Sequence, residues 1–300
     1  MGRTPATRSA MFRLDDFLAR RAAHSTLLAR ARGAFAPLEV REVDGLRWFT
    51  AGGRYVQGLM DVAAPARIVL PHHHAMLGAL SWASHDARLL NLGLGCGTFE
   101  RFAAAHLPHA SIVSVEPDEA VVSLARAHFA VPADLEVVTT SAADYLARTD
   151  ARFDLIVCDI FAGEHHPDCL FDSYFHADLA AHLDDDGVLA LNLSPRENDE
   201  VVAILAALRQ SIDWVMLAPV AEHGNIVVLA SRAAPPPPGR MRRRAGMLAR
   251  AWGLAEEALL PGFERLPSRR EIVGGFGDEQ GEEDEPDFDH DAAAGTATDP

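Results

Sequence analysis

A doubly wound α/β fold is predicted for this 300-residue chain by three observations. Between Arg88 and Arg232, short apolar runs alternate with amphipathic segments of helical spacing. The first run ends in a glycine-rich turn, Gly93-Leu-Gly95-Cys-Gly97-Thr98. The last two runs, 212–217 and 225–230, stand too close together for a helical crossover. Alternation of strand and helix implies a mainly parallel sheet covered on both faces. The closely spaced final pair is expected to be antiparallel.

The elements follow in order. Strands are expected over 88–93, 111–116, 135–139, 153–158 and 187–192, each followed by a helix: 98–106, 118–129, 142–147, 173–182 and 197–210. With the final pair this makes a seven-stranded sheet of the class I methyltransferase-like (Rossmann-like) type. Ahead of it, residues 1–34 read as a helical segment with Met11, Phe12, Leu14, Phe17 and Leu18 as its apolar positions. Residues 35–71 read as a small β-hairpin unit, in which two short runs flank Asp44-Gly45 and Gly52-Gly53 turns the chain into a third. Residues 72–232 read as an α/β domain whose glycine-rich turn is expected to bind an adenosyl nucleoside. Residues 233–276 are a Pro-rich linker and helical extension, opened by Pro235 to Pro238. Its basic start is expected to belong to a helix packing on the main domain. Residues 277–300 read as an acidic disordered tail.

Composition excludes several chemistries. There is no lysine, so neither a Walker A loop nor a Schiff base is available. The net charge is −16, but ten acids and no arginine lie from Asp278 onward, which leaves −6 for the rest. The acidity is therefore a property of the tail and does not favour nucleic acid as a partner. No run approaches the roughly 18 apolar residues of a membrane span. The three cysteines, Cys96, Cys158 and Cys169, are expected as free thiols of a cytoplasmic protein.

The glycine turn is the strongest motif. Glycines let the backbone turn sharply and approach a ligand closely, and the helix that follows offers free N–H groups. Glu116 ends the next strand, 23 residues after Gly93, where a carboxylate can accept both ribose hydroxyls. The Gly-x-Gly-x-Gly spacing suits an adenosyl sulfonium better than a pyrophosphate. Asp159 closes the fourth strand, at the end of the sheet that faces the ligand crevice, and could accept a proton from an attacking amine. The loop after it, Ile160-Phe-Ala-Gly163, is suited to a lid. His72-His-His74 and His165-His166 suggest metal ligands, but adjacent histidines usually point apart and no Cys pair accompanies them; no metal is expected. His74, at a helix start, is expected to face the crevice.

Over residues 38–230 the chain resembles the spermidine synthase (polyamine aminopropyltransferase) family, specifically its divergent bacterial spermidine synthase-like members. The likeness is carried by the β unit with Arg47-Trp48 and Gln57, by Gly93 to Thr98, and by Val115-Glu116-Pro117-Asp118. It continues through Phe153-Asp-Leu-Ile-Val-Cys-Asp159 and through Leu183 to Asn192. The resemblance implies a transferase of polyamine biosynthesis. It would move an aminopropyl group from decarboxylated S-adenosylmethionine to an amine, with Asp159 as base and methylthioadenosine as product. It further implies a cofactor site of Gly93, Leu94, Gly95, Cys96, Gly97, Glu116, Pro117, Ser141 and Ala142, and a substrate site of Gln57, His73 and His74. The expected partner is a small-molecule amine, without nucleic acid or membrane, in a homodimer.

Three positions depart from the family pattern: Ala75 where a Glu is usual, Ala162 where a second Asp is usual, and Ser141 where an Asp meets the adenine amine. The first two acids would hold a diamine, so the acceptor stays open. Two other readings remain, a methyltransferase using S-adenosylmethionine and a non-catalytic nucleoside-binding relative. Arg101 could meet the carboxylate of the ordinary cofactor, whereas Asp159 and Glu164 suit the ammonium of the decarboxylated one.

Overall fold

The computed structural model describes residues 17, 24–52, 55–82, 87–221, 223–268 and 271. The helix expected before residue 24 lies outside these residues apart from Phe17, and so does the tail from 277. The chain divides into two compact units, Met1–Leu266 and Pro267–Pro300. In the second unit Ser268 and Glu271 cap one another, each side chain accepting the other's backbone N–H.

The first unit opens with an antiparallel meander of four strands in sequence order: β1 (Thr26–Arg32), β2 (Pro37–Val43), β3 (Leu46–Ala51) and β4 (Tyr55–Asp61). The β2–β3 turn has Asp44 and Gly45 at φ 50° and 76°, the left-handed pair that a two-residue hairpin demands. β1 corrects the expectation of a helix reaching residue 34. Its Leu-Ala-Arg-rich sequence has good helix propensity, but Ala29 and Ala31 pack inward while Arg30 pairs with Glu39 of β2 at 2.8 Å. Cross-strand pairing decides where propensity is indifferent. Phe17 packs edge-on against Trp48 of β3, ring centroids 5.1 Å apart.

After α1 (Pro71–Leu77), which has Pro at its first position, the alternation predicted from sequence begins. It runs β5 (Arg88–Leu92), α2 (Thr98–His106), β6 (Ser111–Val115), α3 (Glu119–His128), β7 (Glu136–Val138), α4 (Ala142–Leu146) and β8 (Phe153–Cys158). It continues with α5 (Ser173–Ala181), β9 (Leu183–Leu193), α6 (Asn198–Leu208), β10 (Trp214–Pro219) and β11 (Ile226–Ser231). Beyond the prolines come α7 (Pro238–Trp252), α8 (Glu256–Leu259) and β12 (Glu264–Arg265). The strand order is β12-β10-β11-β9-β8-β5-β6-β7. The strands β5 to β9 are parallel, and β11 runs antiparallel to both β9 and β10, as the short final loop required. The sheet has eight strands rather than the expected seven, because the two-residue β12 adds to the edge of β10.

Both faces are covered. On one, Met76 of α1, Phe99 and Phe102 of α2, and Met241 and Ala245 of α7 pack on Leu89, Leu155 and Val157. The extension helix thus rests on the main domain, as expected. On the other face, Phe175 and Leu179 of α5 and Ile204 and Leu208 of α6 cover Ile156, Leu191 and Val228. A third cluster joins Leu38, Val40 and Phe49 of the meander to Val121, Leu124 and Phe129 beside α3. Each such side chain contributes about 1.5–3 kcal/mol by burial. That last cluster matters for function, because it sets the meander against the carboxyl ends of the parallel strands.

Candidate active site

The sheet order changes direction at β5: the chain goes outward through β6 and β7 and then crosses to β8. Ligands of such sheets bind at the carboxyl ends beside this reversal. A cavity of about 710 Å³ lies there, and the meander, the glycine turn, and the loops after β6, β8 and β9 all line it.

The turn after β5 holds Gly93, Gly95 and Gly97 at φ +97°, +51° and +71°. A Cβ at Gly93 would collide with the carbonyl of Asp159, so glycine here lets the two strand ends touch. Glu116 closes around the turn: its Oε2 accepts the Leu94 N–H at 3.2 Å and its Oε1 the Asp118 N–H at 3.1 Å. Burial raises the Glu116 carboxyl to about 7, despite these donors. Asp118 caps α3 through the Ala120 N–H and also accepts the Ala34 N–H at 2.6 Å, tying the meander to the same end of the cleft. Ser141 caps α4 by accepting the Asp144 N–H.

Asp159 follows β8 with both carboxylate oxygens engaged. Asn192 Nδ2 donates to Oδ1 at 2.7 Å, and His73 Nε2 lies 3.1 Å from Oδ2. Burial pushes this carboxyl up, but the His73 hydrogen bond and charge, followed by His72 and Asn192, outweigh it and hold the group below its ordinary value. Asn225 Nδ2 in turn donates to Asn192 Oδ1 at 3.0 Å. The Gln57 amide donates to the Gly163 carbonyl at 3.1 Å, holding the loop after Asp159 against β4. Glu164, on that loop, pairs with Arg196 at 3.0 Å.

Of the residues read from the sequence, Gly93, Leu94, Gly95, Cys96, Glu116, Pro117, Ser141, Ala142, Gln57, His73 and Asp159 all line this one cavity. Gly97 and His74 do not. Gly97 instead turns the chain into α2, tight against Val131. The expectation for His74 is corrected, since its ring is hydrogen-bonded to the backbone of Ile68 and burial lowers it to about 4. Arg101 is also corrected. It is buried and donates to the carbonyls of Pro65 (2.7 Å), Phe129 (3.0 Å) and Cys96, so it holds the glycine turn rather than a ligand. His72 and His73 do not point apart: their rings lie 4.2 Å apart, edge to face.

Sequence reasoning gave no site role to Asp118, Asn192 and Asn225, and weighed His72 only as a metal ligand and set it aside; all four line the cavity. Asn192 carried a readable signal, as the one polar residue closing the buried apolar run that starts at Val188. Asp118 carried another, as an N-cap directly after Glu116-Pro117.

The fold and cleft define a Rossmann-like class of protein with a ligand cleft at the carboxyl ends of the parallel strands. No protein-family model matches the chain. The polyamine aminopropyltransferase of Chromobacterium violaceum is 31% identical over 226 residues, 74% of this chain and 87% of that one. The enzyme of the same name from Neisseria meningitidis serogroup A is 27% identical over 243 residues, 79% of this chain and 92% of that one. In fold, the chain matches a probable spermidine synthase from Corynebacterium glutamicum with a TM-score of 0.64 at 17% identity, over 91% of this chain and 99% of that one. The chain belongs to the polyamine aminopropyltransferase family.

Proposed function

We propose that the chain transfers an aminopropyl group from decarboxylated S-adenosylmethionine to a small-molecule amine. Glu116 accepts the ribose hydroxyls, the Gly93 to Cys96 backbone lies along the nucleoside, and Pro117, Ser141 and Ala142 flank the adenine. Gln57 and His73 border the acceptor, beside Asp159. The acceptor nitrogen attacks the aminopropyl carbon adjoining sulfur. The C–N bond forms, the C–S bond breaks with its electron pair going to sulfur, methylthioadenosine leaves, and the amine proton passes to Asp159.

One observation carries this reading: Asp159 and Glu116 line a single cleft, one at the end of β8 and one at the end of β6. The fate of Arg101 supports it over methyl transfer. Its guanidinium is committed to three carbonyls and is not available for the carboxylate of ordinary S-adenosylmethionine. A cytoplasmic location fits the three free cysteines. Among the described residues no helix is long and apolar enough to cross a membrane.

The test is a product assay by mass spectrometry, offering both cofactor forms and a panel of primary amines. An aminopropyl mass increment with methylthioadenosine release supports the reading. A methyl increment, or no product from a protein that binds methylthioadenosine, overturns it.

A further inference from the structure

Beside Asp159 and His73 lies a second histidine, His72, that has no part in the proposed transfer. His72, His73 and Asp159 each offer a ligand atom, and these atoms lie within 4.8 Å of one another. His72 is 9% exposed and lines the cavity, yet its Nδ1 is buried with no hydrogen-bond partner. An unsatisfied ring nitrogen at such a place costs free energy unless something fills its coordination.

We propose that His72, His73 and Asp159 form a binding site for one divalent transition-metal ion of the zinc type, open to the cleft. Two imidazoles and one carboxylate suit zinc, cobalt or iron(II) and not magnesium or calcium, which take oxygen ligands. Metal–nitrogen bonds of about 2.0–2.1 Å place tetrahedral donors about 3.3 Å apart. His73 Nε2 and Asp159 Oδ2 already meet that spacing at 3.1 Å, and the His72 ligand atom lies within 4.8 Å of both.

The surroundings are those of a ligated carboxylate. Asn192 fixes Asp159 through Oδ1 and leaves Oδ2 for the ion, while Asn225 fixes Asn192. When His73 Nε2 takes the ion, its ring proton resides on Nδ1. The cavity supplies the entry path and room for a fourth ligand, as in metal sites that keep an open position. An ion here occupies the carboxylate that the transfer reaction needs, so metal and acceptor amine exclude one another. That consequence rests on the proposed transferase reading; the site itself does not.

The experiment is a titration of the full chain with Co²⁺, read by its visible absorption. The expected result is one saturable equivalent with the intense bands of four- or five-coordinate cobalt, displaced by Zn²⁺. His72→Ala and His73→Ala should abolish the bands, and Asn192→Ala should weaken binding by about 10–100-fold. Melting curves and circular dichroism verify that each variant folds, and Asp159→Asn, which keeps the size of the side chain, is the alternative if a histidine variant does not. Absence of saturable binding, a pale octahedral spectrum, or bands unchanged in the histidine variants would overturn the site. Separately, Zn²⁺ should depress aminopropyl transfer and a chelator should restore it. Binding without inhibition overturns the exclusion of the amine. Absence of transfer under any condition overturns the transferase reading and leaves the cobalt result standing.

Discussion

Asn192 donates its amide N–H to Asp159 Oδ1 at 2.7 Å, across the junction of two parallel strands. β8 and β9 are paired from Leu155↔Val188 to Cys158↔Leu191, so the residues just beyond, Asp159 and Asn192, arrive at the cleft side by side. The amide fixes one rotamer of the carboxylate and presents the other oxygen to the ligand. Asn225, one residue before β11, holds Asn192 from the antiparallel strand. A three-strand relay thus positions the proposed proton acceptor from behind.

Substituting Asn192 by Leu keeps the volume and removes this donor. A hydrogen bond to a charged group contributes about 1.5–3 kcal/mol. Expressed in the transition state alone, that corresponds to a fall in turnover of about 10–100-fold. Methylthioadenosine affinity, measured by calorimetry, is expected to stay within about twofold, because Asn192 lies at the other end of the cleft from Glu116. An unchanged turnover would show that Asp159 needs no positioning.

Glu116 gives a pH dependence with a definite sign. Burial raises its carboxyl to about 7, above the ordinary value of 4.5. In the free protein the proton favours the folded state. This stabilising contribution is complete below the unfolded value and is lost as pH rises through about 7. Nucleoside binding has the opposite sign, because the ribose hydroxyls donate to the ionised carboxylate. Affinity for methylthioadenosine should therefore rise between pH 6 and pH 8, approaching about tenfold per unit well below 7. Calorimetry near pH 7 should detect proton release as a heat that varies with the buffer. In Glu116→Gln both effects should vanish, and a Glu116→Gln profile like that of the parent would place the titration elsewhere.

The sequence displayed the parts of this site whose residue types are forced by backbone geometry or burial. Gly93 must be glycine because of its φ and its contact with Asp159, and the apolar runs of β5, β8 and β9 are buried on both faces. Two kinds of fact were not visible. The first was competition between equally good local structures, as at Thr26–Arg32, where partner strand β2 made the decision. The second was direction. Nothing local tells that His74 turns to Ile68 while His72 and His73 lean together, or that Arg101 reaches backward to three carbonyls. Those outcomes depend on which neighbours the tertiary fold supplies.

Arg101 tests that second kind. It is 4% exposed, and its donors satisfy carbonyls from the loop before α1, from the glycine turn and from the end of α3. Arg101→Met retains the stem and removes the donors. Leaving buried carbonyls unpaired costs about 1–3 kcal/mol each where water cannot reach them. The expected loss is about 2–4 kcal/mol in denaturant unfolding, with looser nucleoside binding as the turn relaxes. Preference between the two cofactor forms should not change. A selective loss of S-adenosylmethionine binding would instead assign Arg101 to the cofactor carboxylate.

Asp159 itself carries the proton transfer in the proposed reaction. It lies where the glycine turn, α1 and β9 converge, and donors from His73 and Asn192 hold it in one orientation. An acceptor amine has to lose a proton as its nitrogen bonds to carbon, and the proposed reaction gives this carboxylate that task. Asp159→Asn preserves the shape and keeps one oxygen to accept a hydrogen bond, but it removes the charge and the basic site. General-base assistance contributes about 10²- to 10⁴-fold, so turnover should fall within that range. Methylthioadenosine binding should change little, since Glu116 and the glycine turn remain intact. Single-turnover product formation, followed by mass spectrometry at saturating amine, separates the chemical step from weaker acceptor binding. Full single-turnover activity in Asp159→Asn would remove the proton-accepting role from this residue and move it to another group lining the same cleft, with His73 the nearest.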